Sequence, residues 1–242
     1  MTEDALSELT PTGILRAGIN MGNSLLVTGK TTYGDPEGVA ADMARAIADR
    51  LGVDVKYVPF KSPGELADAA GGDVWDIGLI GAEPSRAEKI DFTAAYVEIE
   101  ATYLLPEGSP FTSVEDVDSE GARIAVSGRS AYDLYLTRTL KHAELVRVTG
   151  ISASFDLFVA EKLDALAGLR PALTKDAPRL AGSRVLDGQF TAVQQAVGCT
   201  RGNDAAAAFL REFVEDVKAG GLVAELIERH GVVGRLSVAP LT

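Results

Sequence analysis

Arg86 stands five residues after Gly81, where a short apolar run over residues 77–80 comes to an end. That run, Ile-Gly-Leu-Ile, is bounded by turn residues and fits a strand buried on both faces. Gly81 closes it, Pro84 sits where a first helical turn tolerates proline, and Arg86 follows at the mouth of that turn. A strand that stops here presents the backbone N–H groups of Ala82 and Glu83 beside a guanidinium fork. Amide donors and a fork of that kind suit a carboxylate. Gly81, Ala82, Glu83 and Arg86 are therefore candidate ligand-binding residues. The same spacing also fits a surface arginine on an ordinary strand–helix connection.

Two further clusters carry polar groups at strand ends. Asn20-Met21-Gly22-Asn23 follows the first predicted strand, and the Asn20 and Asn23 amides can donate and accept toward a polar ligand. Asn and Gly are equally the common residues of plain turns. Ser127-Gly128-Arg129-Ser130-Ala131-Tyr132 lies between a predicted strand and a predicted helix. Ser130 there is an N-cap by type and place. In the same geometry, Arg129, the Ser130 hydroxyl and the amides of Ala131 and Tyr132 can hold a carboxylate. Arg170 follows the run Asp164-Ala165-Leu166-Ala167-Gly168-Leu169 and adds a third cation.

The elements that must position these residues alternate strand and helix, which gives an α/β fold with helices covering a mostly parallel sheet. Residues 14–19 read as a strand and residues 20–36 as a loop. A helix from Gly38 carries Val39, Met43, Ile47 and Leu51 at intervals of four before Gly52 closes it. Residues 53–58 read as a strand, and Ser62-Pro63-Gly64-Glu65 has capping-box spacing for another helix. Residues 99–105 form a strand that runs into the boundary loop Pro106-Glu107-Gly108-Ser109-Pro110. A second cycle has strands over 123–126, 145–148 and 165–167, with helices over 130–140, 152–160 and near Ala172. Apolar residues return at 193–197, followed by helices over 204–219 and 222–230. Trp75 and the tyrosines are read as packing residues. The acidic run over 115–120 lacks the spacing of an EF-hand and is read as a solvated loop.

The ordered set of motifs resembles family 3 of the extracellular solute-binding proteins, the amino-acid binders of ABC transporters. The family shows a buried strand, a hydroxyl-rich turn, an arginine, then Asp-Phe-Ser/Thr and a tyrosine. Arg86, Asp91-Phe92-Thr93 and Tyr96 hold those places. The resemblance extends upstream to residues 13–18 and 38–52, and downstream to 203–231. It implies the two-lobe type 2 periplasmic-binding-protein (Venus flytrap) fold, with mixed sheets flanked by helices and a two-segment hinge. One lobe would hold residues 1–98 and 194–242 and the other residues 101–191, with crossings near 98–101 and 190–193. Gln189, Phe190, Gln194 and Gln195 would lie near the second crossing and can supply amide contacts. Arg86 takes the place of the arginine that grips the ligand's carboxylate. The resemblance also implies a monomer that delivers its solute to an ABC permease without catalysis, cofactor or metal.

The chain departs from the family pattern at three places. Arg129 stands in a Gly place and Ala131 in the last hydroxyl place of the second-lobe loop. Leu169 stands where amino-acid binders carry the Asp that pairs with the ligand's ammonium group. A buried ammonium without a carboxylate costs several kcal/mol, against about 1 kcal/mol for one extra hydrogen bond. A small carboxylate, either an amino acid or a related organic acid, is the expected ligand. Glu83 can stand in for the missing anion. Two alternatives remain: a dehydratase-like enzyme using Glu83 as its acid, and an intracellular ligand-sensing module.

Composition narrows the classes further. The chain has 242 residues, of which 46% are hydrophobic and 24% charged, enough apolar material for packed cores. Its net charge of −12, with no basic cluster, argues against nucleic acid and against anionic membrane surfaces. One cysteine, Cys199, forms no internal disulfide or thiolate cage, and His142 and His230 lie too far apart for a zinc site. The first twelve residues are polar and acidic, without the pattern of a signal peptide, and no run reaches membrane-spanning length. The expected location is periplasmic if a leader was trimmed, and cytoplasmic otherwise.

Overall fold

The structure, a computed structural model, describes residues 2–242. The chain divides into two compact units, Met1–Glu98 with Gln194–Thr242, and Ile99–Val193. In chain order the first unit begins with α1 (Glu3–Leu9), β1 (Leu15–Asn20), β2 (Gly29–Lys30) and β3 (Pro36–Glu37). It continues through α2 (Val39–Leu51), β4 (Val55–Phe60), α3 (Pro63–Asp68), β5 (Ile77–Gly81) and the start of β6 (Ile90–Leu105). The second unit takes the rest of β6, then β7 (Arg123–Ser127), α4 (Ala131–Thr139), β8 (Glu144–Val148) and α5 (Ile151–Ala160). It goes on with β9 (Ala165–Leu169), α6 (Arg170–Asp176), a 3₁₀ turn (Ala177–Arg179) and β10 (Arg184–Val185). Strand β11 (Thr191–Thr200) returns the chain to the first unit, which ends with α7 (Asp204–Ala219), α8 (Leu222–Arg229) and β12 (Ser237–Val238).

In the first unit the strands run β4-β1-β5-β11. The first three are parallel and β11 is antiparallel to β5, with Gln195 opposite Gly81 and Cys199 opposite Ile77. Every residue of β5 is buried, as its apolar run requires. Helix α2 buries Val39, Met43, Ile47 and Leu51, the stripe its spacing predicts. Gly52 ends it in the left-handed conformation and donates its N–H to Ala48 O and Asp49 O. Gly38, at the other end, has φ +144°, and a Cβ there would lie 2.2 Å from Leu26 O. No other residue fits that position without moving backbone. Asp76, buried just ahead of β5, takes the Arg16 amide at 2.8 Å and Nη2 at 2.6 Å. That pair fixes the start of β5 against β1, and it raises the pKa of Arg16.

In the second unit the order is β6-β9-β7-β8, with β10 also on β6. β7 is parallel to β8 and β9, and β6 is antiparallel to β9 with Ala101 opposite Leu169. Leu104, Phe155, Phe158, Leu166 and Leu173 form the centre of its core.

Four expectations are corrected. Residues 84–89 form successive turns rather than a helix after Pro84. The chain enters β6 at Ile90, which leaves too few residues for a helix and its two connections. β6 begins at Ile90 and not near residue 99, so Asp91, Phe92, Thr93 and Tyr96 are strand residues. The loop expected over residues 20–36 contains β2, which pairs with β3. The acidic N-terminal stretch holds α1, whose Ala5 and Leu9 are buried and which contacts α7. Glu8 accepts the Ala206 N–H at 2.8 Å, capping a helix whose own Asn203 makes no side-chain cap. Among the described residues no helix is long and apolar enough to cross a membrane.

Candidate functional site

In the first unit, the ends of β1 and β5 lie side by side, since Ile19 pairs with Leu79. Arg86 is only 5% exposed, and its Nη1 donates to Gly81 O at 2.6 Å. The turn is closed by the Arg86 and Ala87 amides on Glu83 O, at 2.9 and 3.0 Å. A buried guanidinium is costly unless its donors meet oxygen, and the Gly81 carbonyl both satisfies one donor and fixes the fork's direction. The Ala82 N–H, expected to face a ligand, instead donates to Gln194 O at 2.7 Å. It extends the β5–β11 ladder by one residue. Glu83 is half-buried in the same turn.

Asn20 and Asn23 behave first as turn residues. Asn20 Oδ1 accepts from Gly22 N at 3.0 Å and the buried Asn23 Oδ1 from Leu25 N at 3.1 Å. Both side-chain oxygens are thereby occupied, and the amide nitrogens are what they can offer a ligand.

In the second unit Ser130 caps α4, accepting the Asp133 N–H at 3.1 Å. Its helix-cap role is thus present in the structure. Asp133, 3% exposed, returns the favour through Oδ2 to the Arg129 N–H at 2.7 Å and accepts Arg147 Nε on Oδ1 at 2.9 Å. Arg129 adopts φ +62°, and its side chain is exposed. Ala131 and Tyr132 are buried beneath the loop. Burial pushes the Tyr132 phenol up to about 12, partly offset by hydrogen bonding to the Ser130 and Ser127 side chains. Asp133 and Arg147 were missed by sequence reasoning. The Ser130-x-x-Asp133 spacing signalled the first, whereas nothing local signals Arg147.

Arg170 does not remain an uncommitted cation. Its Nε meets Glu100 Oε2 at 2.5 Å, Nη1 donates to Leu186 O at 3.0 Å, and Nη2 donates to Gly188 O. The cause is strand register. Ala101 opposite Leu169 sets Glu100 beside Arg170. Leu169 itself is 6% exposed at the end of β9. Phe190 packs tilted against Tyr103 with ring centroids 4.7 Å apart, a packing role. The Cys199 thiol is pushed up to about 12 by burial, which removes it as a nucleophile at neutral pH. No group of three metal-ligating side chains occurs among the described residues.

The model of the bacterial extracellular solute-binding proteins, family 3, matches residues 22–233. No curated protein matches the sequence. Among solved structures, an ancestral amino acid-binding protein, a precursor of cyclohexadienyl dehydratase, is 23% identical with a TM-score of 0.74, covering 93% of this chain and 98% of its own. An amino acid ABC transporter substrate-binding protein from Streptococcus pneumoniae, solved with L-arginine, is 20% identical with a TM-score of 0.74 over 97% and 99% of the two chains. A binding component of an ABC transporter from Wolinella succinogenes, complexed with lysine, is 21% identical with a TM-score of 0.75 over 90% and 95%. At these identities the likeness shows the fold, that of type 2 periplasmic binding proteins. With a family match spanning most of its length and that fold throughout, the chain belongs to the bacterial extracellular solute-binding proteins, family 3.

Proposed function

We propose that the chain is the substrate-binding protein of an ABC importer and that it holds a small carboxylate through Arg86. The observation that carries this reading is a guanidinium 95% buried at the end of β5, oriented by the Gly81 carbonyl, in a protein of net charge −12. A guanidinium held in one direction at the end of a buried strand presents its fork in a fixed geometry, which suits a carboxylate. In the second unit the loop at the start of α4, with Ser130 and Arg129, is the further candidate for ligand contacts. Export from the cytoplasm and delivery to a membrane permease complete the role, and the protein acts as a monomer.

The ligand class follows from the second unit. Leu169 occupies the place of an ammonium-pairing acid, and Arg170 is bound to Glu100. Carboxylates without an α-amino group are therefore expected to bind at least as well as standard L-amino acids. A thermal-shift screen of organic acids beside the twenty amino acids tests this. A ligand at 100 times its dissociation constant stabilises by about 2.7 kcal/mol. Micromolar binding of a common L-amino acid, with no response to any organic acid, overturns the ligand class. Calorimetry on Arg86→Ala then tests the clamp. Loss of a charge-assisted pair weakens binding by about 1.5–3 kcal/mol, and an unchanged affinity removes Arg86 from the role. Incubation with cyclohexadienyl acids should show no turnover. Turnover that disappears in Glu83→Gln would make the protein an enzyme.

A further inference from the structure

We infer that Gln195 is a specificity-determining residue of the carboxylate site, reading a second polar group on the ligand with its side-chain amide. The inference rests on the binding role proposed for Arg86. Gln195 is 5% exposed on β11, and among the described residues its side chain makes no hydrogen bond. Its neighbours along the strand, Ala196, Val197 and Cys199, are fully buried and apolar. Among the described residues the fully buried side-chain polar atoms without a partner are Tyr96 Oη and Ser109 Oγ, so the Gln195 amide, on a residue otherwise packed among apolar neighbours, keeps contact with solvent and can be reached by a ligand.

Position sets it beside the end of β5. Gln195 is the register partner of Gly81, so in the antiparallel ladder both Cα atoms project to the same face. Gly81 has no side chain to cover the amide from across the ladder. The Gly81 carbonyl is also the one that orients Arg86, and the next bond of the ladder, Ala82 N–H to Gln194 O at 2.7 Å, locks the two strands together there. An amide with both donor and acceptor thus sits one strand away from the group that grips the carboxylate. A ligand held by Arg86 and carrying a hydroxyl, carbonyl or amide toward β11 would satisfy it. One lacking such a group would leave it unpaired, which is the strongest form of polar selectivity.

The test measures melting temperature and calorimetric affinity for a fixed panel: the twenty L-amino acids, and mono- and dicarboxylates with and without hydroxyl or keto groups. Gln195→Leu is expected to keep or raise the melting temperature of the protein alone. It should weaken the tightest wild-type probe at least ten-fold and flatten the difference between substituted and unsubstituted acids. Gln195→Glu places an anion beside the carboxylate site. It should weaken every acid at least ten-fold at pH 8, with recovery as the pH is lowered toward 5. Unchanged ranking in Gln195→Leu, or wild-type affinity in Gln195→Glu at pH 8, overturns the inference. Arg86→Ala separates this failure from failure of the underlying reading. If it abolishes binding of the panel while the Gln195 variants bind normally, only the inference on Gln195 falls. If the panel still binds to Arg86→Ala, the role of Arg86 falls as well.

Discussion

Arg86 and Arg170 share a side chain and differ in what surrounds it. Arg86 is nearly dry, and its Nη1 donates to the Gly81 carbonyl at the end of β5. Arg170 is clasped by a carboxylate and two carbonyls within its own unit, where it ties the junction of β9 and α6 to β6 and to the segment before β11. Identical chemistry thus gives a candidate clamp in one place and a structural staple in the other. Tyr132 offers a check of the second unit at this scale. Its phenol is held neutral up to about 12 by burial, above its ordinary value of 10.0. A raised folded pKa means that its contribution to stability is complete below pH 10.0 and is lost as pH rises through the folded value. The unfolded chain binds fewer protons in that window, so stability falls by up to about 1.4 kcal/mol per pH unit for this one group. Denaturant titrations from pH 9 upward should show a shallower alkaline loss for Tyr132→Phe than for wild type. Parallel curves would show that the phenol is not held neutral.

Among the elements, α4 is the one whose ends are most heavily fixed. Ser130 and Asp133 close its start, and at its far end Asp118 accepts the amides of Lys141, His142 and Ala143 at 2.9, 2.8 and 3.0 Å. Three successive N–H groups around one carboxylate form a small anion nest. It ties the segment before β7 to the turn that leads into β8. Burial opposes the charged form of Asp118, but these amides outweigh it and hold the pKa below the ordinary 3.8. With a depressed folded pKa, the stabilisation is full above 3.8 and fades as pH falls through the folded value. Asp118→Asn should lower the melting temperature at pH 7 by roughly 2–4 °C, the equivalent of about 1 kcal/mol in a chain of this size. The gap should close in acid, and the amides of residues 141–143 should lose protection from hydrogen exchange. A gap that is constant with pH would show that the carboxylate charge plays no part.

Across the whole molecule, the first unit is assembled from two distant stretches of chain. β11 from the second stretch covers the edge of β5, and α7 covers α1, with Glu8 capping it at Ala206. Residues 1–98 alone would expose the edge of β5 and the apolar face of α1. The fragment 1–98 is therefore expected to show little cooperative unfolding by circular dichroism, although it contains five of the strands and three of the helices of that unit in full. A sharp melting transition in that fragment would show that the returning stretch is not needed for its core. The second unit, continuous from Ile99 to Val193, carries no such dependence within its own sheet.

The local elements were legible because their causes are local. The four-residue apolar stripe of α2, the Ser62 cap of α3, the Ser130 cap of α4 and the apolar run of β5 each rest on residues within one or two turns of each other. Arg86 was legible because Gly81, Pro84 and the buried strand that positions it are its immediate neighbours. What the sequence could not decide were the outcomes set by register between distant strands. Arg170 met Glu100 because Ala101 pairs with Leu169, and the Ala82 amide was spent on Gln194 because β11 returns against β5. Helix α1 was read as a polar stretch because its few buried residues find their partner almost two hundred positions later. β6 was read short because acidic residues interrupt its apolar pattern, and the ladders on its flanks come from β9, β10 and β12. Hydrogen-bond partners and counter-ions belong to the fold as a whole, and only the fold determined which of the candidate donors were already taken.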